Sequence, residues 1–205
     1  MKAKYTIGII ALGLAFILSG CSHNSEPSAT AKMITPNTTV ATEAKPVESI
    51  QEATYLLQQN EYTKAIAKAD EILATYPNSD EAYSIKGMAM GLNGEAVTGL
   101  EFTKKAYEIN PNNVSNYYNM AMLYKLDGKL EEAKEWFEKV LAKDPHNTWS
   151  AYGIATIYAD QGKDAEALDW LRKAVSLDSV VKEVARTQDH FVRFHGNQTF
   201  EAIVK

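Results

Sequence analysis

Apolar residues recur at spacings of three and four over most of this chain, in blocks interrupted at regular intervals. Between Lys129 and Lys143, Leu130, Ala133, Phe137, Val140 and Leu141 share one side of a helix. Charged residues such as Glu131, Glu132, Lys134 and Glu135 fill the gaps and read as a solvated face with local pairing. The block before it, Val114 to Leu126, predicts a second helix of the same kind. The pattern is helical throughout, so the expected fold class is all-α.

The interruptions keep a fixed period of 34 residues. Pro77, Pro111 and Pro145 hold one register, with Ser179 in the next slot. Asn60, Gly94, Gly128 and Gly162 form a second column, and two columns of small residues run beside them: Ala53, Gly87, Ala121, Ala155 and Ala65, Gly99, Ala133, Ala167. Each has a physical reading. Asn or Gly supplies the left-handed backbone that ends a helix. Proline stops the second helix of each pair. The polar residues after it, Asn78-Ser79, Asn112-Asn113 and Asn147-Thr148, can cap the next helix. Small residues let paired helices approach closely.

These columns resemble the tetratricopeptide repeat (TPR). Residues 46–181 divide into four such units, 46–79, 80–113, 114–147 and 148–181, with weaker matches at the ends. The resemblance implies a right-handed α–α superhelix, or solenoid, of four helix pairs, with the first helix of each pair lining a concave groove. Repeat positions that point into the groove in this family correspond to Ile50 and Thr54; Ile85, Met88 and Leu92; Tyr118, Asn119, Met122 and Lys125; Trp149, Tyr152 and Thr156. Ile85, Met88, Tyr118, Asn119, Met122, Lys125, Trp149 and Tyr152 form the candidate peptide-binding surface, since accessible aromatic and Met side chains suit peptide contacts. Core packing is the competing reading for Met88 and Met122, and Trp149 could instead lie under the C-terminal helix. Met90 and Met120 are expected to face the partner helix. A carboxylate-clamping variant of the family's groove would need basic residues where Ile50, Ser84, Tyr118 and Tyr152 stand.

The last residues, 182–205, are too apolar for a loose tail. A helix is expected over Val180 to Thr187. Phe191, Phe194, Phe200 and Ile203 should then fold back as a capping segment, or else dock a partner.

The N-terminus is built of different material. Lys2 and Lys4 precede a run from Ile7 to Leu18 of apolar residues and glycine, too short to span a bilayer. Leu18-Ser19-Gly20-Cys21 resembles the lipobox of bacterial lipoproteins. The resemblance implies cleavage of residues 1–20, with diacylglycerol and a fatty acid (palmitate) carried covalently on Cys21; no other cofactor is expected. Residues 21–45 hold eight Ser or Thr residues, two prolines and no aromatic, a composition expected to form a disordered tether. The protein is thus expected on the extracytoplasmic side of a bacterial membrane, either the cell membrane or the outer membrane of a diderm cell.

Composition narrows the chemistry. With 21 basic against 26 acidic residues in 205, the formal charge is −5, and removing the two lysines of residues 1–20 takes it to −7. That balance argues against a nucleic-acid partner. The single cysteine excludes an internal disulfide framework and a paired-thiolate zinc site. His146 falls in an inter-repeat turn, while His190 and His195 are five apart and share no helical face. No phosphate loop or nucleophile–base set is present, so no enzyme is expected. The expected role is a non-catalytic scaffold binding a protein or extended peptide at the cell envelope. The alternatives are an assembly or pilotin-type factor for secretion, pilus or outer-membrane biogenesis, and a recruiter of cell-wall enzymes.

Overall fold

In a computed structural model, residues 46–205 are described; Cys21, the leader and the tether lie outside them. Four helix pairs follow one another: α1 Val47–Gln58 with α2 Tyr62–Thr75, α3 Asp80–Leu92 with α4 Ala96–Ile109, α5 Val114–Leu126 with α6 Leu130–Lys143, and α7 Thr148–Asp160 with α8 Asp164–Leu177. Then come α9 Val181–Thr187, a 3-10 segment Asp189–Phe194 and α10 Gln198–Val204. Each helix packs on its successor in the chain, and α1, α3, α5 and α7 also stack on one another. Among the described residues there is no strand, and no helix is long and apolar enough to cross a membrane.

The period of 34 acts through backbone and caps together. Asn60, Gly94, Gly128 and Gly162 all have positive φ, from 61° at Asn60 to 99° at Gly94, and each closes the first helix of a pair. The second helices end two residues before Pro77, Pro111, Pro145 and Ser179. Ser79 Oγ then accepts from Ala82 N at 3.2 Å, Asn113 Oδ1 from Ser115 N at 3.1 Å and Asn147 Oδ1 from Ser150 N at 3.0 Å, satisfying free amides at the starts of α3, α5 and α7.

The small columns are the seams. Ala53, Ala65, Ala121, Ala133, Ala155 and Ala167 are all completely buried. The tightest seam joins α3 to α4. A Cβ placed on Gly87 would lie 2.6 Å from the Gly99 carbonyl oxygen and closer still to Thr103 Oγ1; one on Gly99 would collide with the Gly87 carbonyl. Two apolar clusters fill the space between helices. One is centred on the first two repeats (Leu57, Ile72, Ile85, Met88, Leu123), and the other runs from Tyr117 and Phe137 through Ile154 to Phe191, Phe194 and Phe200.

The C-terminal residues continue the register instead of starting a new motif. The second helices begin at residues 62, 96, 130, 164 and then 198, and Gly196, with φ 82°, stands 34 after Gly162. Residues 181–204 are therefore a shortened fifth helix pair. Its first helix breaks at Gln188, whose ψ is 137°, just before Asp189 occupies the slot held by Ala or Gly in the other units. A carboxylate cannot sit in a seam sized for a methyl group, so the chain turns out and Asp189 is exposed. Phe191, Phe194 and Phe200 stack at 5.9–6.1 Å and are buried against α7 and its neighbours.

Gly87→Ala should lower unfolding free energy by about 1–3 kcal/mol, because backbone and not a flexible side chain blocks the added methyl. Urea denaturation followed by circular dichroism would measure it; Gly94→Ala, in open space but with positive φ, should cost about 1 kcal/mol.

Candidate functional site

The inner positions of α3, α5 and α7 form one surface, but it is more closed than their residue types suggest. Ile85 and Met88 belong to the buried core, with Met88 only 1% exposed, so neither lines an open groove. The stacked first helices lie so close that α5 covers them. Met120 is buried, as its register requires, whereas Met90 is half-buried. Tyr118 turns its ring edge to Phe137 at 5.6 Å, and Trp149 meets Tyr152 edge-on at 5.8 Å. Tyr152 then contacts Phe191 of the 3-10 segment at 5.8 Å, so the C-terminal unit overlaps the last inner helix. Of the eight candidate residues, Met122 and Lys125 keep appreciable exposure; Ile50 and Thr54 on α1 are also half-buried, while Leu92 and Thr156 are buried.

Polar contacts tie neighbouring first helices together. Asn119 Nδ2 donates to Ser84 Oγ at 2.7 Å. Asp80 accepts from Asn113 Nδ2 at 2.8 Å and Asn116 Nδ2 at 3.3 Å, across about one repeat. Burial holds the Asp80 carboxyl above its usual range, against the pull of the two amides. These contacts satisfy groups that the stack removes from water and fix the repeats against sliding.

The densest polar group lies farther along the same face. Lys125 Nζ donates to Thr156 Oγ1 at 2.6 Å and lies 3.4 Å from His190 Nε2. The Thr156 hydroxyl donates onward to the Gly153 carbonyl at 2.8 Å. His190 Nδ1 is 2.6 Å from Asp160 Oδ1. The assignment consistent with both contacts is a neutral ring that donates to Asp160 through Nδ1 and accepts from Lys125 through Nε2. Tyr152, Thr156 and Asp160 are four apart and form one stripe on α7; Tyr118, Met122 and Lys125 form the matching stripe on α5. Burial lowers the Lys125 ammonium to about 8, only partly offset by Asp160, and pushes the Tyr118 and Tyr152 phenols up. His190 and Asp160 were not singled out by sequence reasoning. The signal was available: His190 follows Thr156 by 34 residues and continues the column Thr54, Met88, Met122, Thr156. Among the described residues no group of three or more side chains could hold a metal ion.

Comparison with known proteins agrees with the geometry. Two tetratricopeptide-repeat family models match end to end, over residues 50–114 and 115–179, together more than half of the chain. The chain belongs to the tetratricopeptide-repeat family, whose folds are generally protein-interaction scaffolds that bind protein or peptide partners. No curated protein matches the sequence. Among solved structures it is similar to MamA from Desulfovibrio magneticus RS-1, at 16% identity over 80% of this chain and 91% of that one, with a TM-score of 0.60. It is similar to Pseudomonas aeruginosa pilF at 17% identity, over 77% and 72% of the two chains, with a TM-score of 0.63. It is also similar to YrrB, described as a TPR protein with an unusual peptide-binding site, at 16% identity over 77% and 85%, with a TM-score of 0.53. At such identities the likeness is one of fold.

Because the folded-state value of Lys125 lies below its unfolded one, the unfolded chain binds more protons between about pH 8 and 10. Stability should therefore rise as pH increases through that window, by about 1 kcal/mol from pH 7.5 to 9.5. In Lys125→Met the rise should disappear, as read by urea midpoints at each pH.

Proposed function

We propose that this protein is a membrane-anchored, exported scaffold that binds a protein or extended peptide at the bacterial cell envelope and performs no catalysis. The observation that carries the binding half is the continuous inner face of α1, α3, α5 and α7. There, half-buried Met122 and Lys125 stand beside tyrosines held rigid by packing. Rigid aromatics and an adaptable methionine supply contact area at low ordering cost. The anchoring half rests on the sequence alone. Lys2, Lys4, the apolar run and Leu18-Ser19-Gly20-Cys21 support acylation of Cys21 and export. A flexible segment of the length of residues 21–45 would have an r.m.s. reach of roughly 25–30 Å, enough to hold the solenoid clear of the lipid headgroups.

Two experiments test the halves separately. Cys21→Ser should abolish palmitate labelling and move the protein out of the membrane fraction; unchanged membrane retention would contradict the anchor. A photo-crosslinking residue at Met122 should give discrete adducts in cells that are absent when it replaces exposed Glu108 on α4. Equal labelling from both positions would remove the groove from the account.

A further inference from the structure

Lys125 is a cation drawn into the inner face without a carboxylate in contact. Its two hydrogen-bond neighbours, Thr156 Oγ1 at 2.6 Å and His190 Nε2 at 3.4 Å, are both uncharged in the neutral-ring assignment. Asp160, whose charge favours the ammonium, is held one ring away by His190 Nδ1. A lysine ammonium has three N–H donors, and these contacts engage two. One helical turn before Thr156, the Tyr152 phenol is more than nine-tenths buried and has no hydrogen-bond partner. It feels Asp160 and the Tyr118 phenol, which places its oxygen toward the same group of side chains.

A cation removed from water without an anion and a phenol removed from water without an acceptor each cost free energy. One group relieves both. An incoming carboxylate accepts from the remaining Lys125 N–H and from the Tyr152 hydroxyl, and its charge restores the ion pair that the inner face lacks. Neutral amides or hydroxyls would supply an acceptor but no charge. A phosphate would bring a second negative charge toward Asp160. We propose that Lys125 and Tyr152, carried by facing stripes of α5 and α7, form a subsite for a single carboxylate presented by an extended peptide in the groove. The subsite lies beside the shortened fifth unit, so the bound chain would meet His190 there. The proposal rests on the groove reading above and adds to it the chemistry of the partner.

The test uses the full chain with lysines labelled with ¹³C at Cε, the Lys125 resonance being assigned from its absence in Lys125→Met. Titration in sodium acetate and in sodium chloride at equal ionic strength compares the Lys125 midpoint in each. In acetate it should rise by about half a pH unit or more, while surface lysines such as Lys104 stay fixed. The rise should be reduced in Tyr152→Phe, which keeps the ring packed on Phe191. N-acetylglutamine, with a free α-carboxylate, and N-acetylglutamate α-amide, with only the side-chain carboxylate, then separate a chain terminus from an acidic side chain as the source. The larger shift identifies it. A Lys125 midpoint equal in acetate and chloride, a rise shared by the surface lysines, or a rise undiminished in Tyr152→Phe would overturn the subsite. Failure of the Met122 crosslinks with the acetate response intact would instead overturn the groove reading, so the two can be told apart.

Discussion

The distance between paired helices, set by two columns of alanine and glycine, governs the rest of this molecule. At Gly87 and Gly99 the backbones of α3 and α4 approach so closely that neither position has room for a methyl group. Elsewhere in the columns a methyl fits and is fully buried. Because the columns recur every 34 residues, each pair repeats the same geometry, and its neighbours can stack without strain. Larger side chains are then pushed to the flanks of each seam. There Leu57, Leu123, Ile157 and Phe191 bury themselves between units, each recurring in step with the register or close to it.

The same closeness shapes the inner face. Helices that stack tightly leave a shallow groove, so residues of groove-lining type, such as Met88, Tyr118 and Tyr152, lose most of their exposure. Polar groups caught in the stack must find partners within it. Asp80 takes amides from Asn113 and Asn116, and Asn119 takes Ser84. Lys125 is the exception, since its contacts are to uncharged groups and its charge remains poorly compensated. Specificity in such a groove would come from a few polar positions, with the apolar ones acting as a rigid support.

How much of this was legible in the sequence follows from the range of each signal. The seams, turns and caps are local and periodic, so Gly94, Pro111 and Asn113 could be placed from residue type and spacing alone. Exposure on the inner face depends on how tightly successive pairs stack, which no single column encodes; hence Met88 read as a groove residue and lies in the core. The fifth unit was hidden for a related reason. Asp189 and Glu201 occupy its small-residue slots, so the columns that define the repeat end at Ala155 and Ala167. Gly196 kept the register and would have revealed the unit. With it came His190, one period after Thr156, and hence the contact that joins the C-terminal end to Lys125. The likeness to solved structures adds the fold without the partner, since fold and binding chemistry are separable.

The central claim is that the molecule is a one-dimensional stack, with residues 181–204 as its terminal unit. In such a stack each repeat is stabilised mainly by its neighbours, so damage at one end should stay near that end. Hydrogen exchange on Phe191→Ala tests this most directly, because Phe191 is fully buried among α7, Phe194 and Phe200. The account predicts faster amide exchange in α7 and α8, with α1 to α4 retaining their protection. A uniform loss of protection from α1 to α10, or no change in α7 and α8, would contradict it.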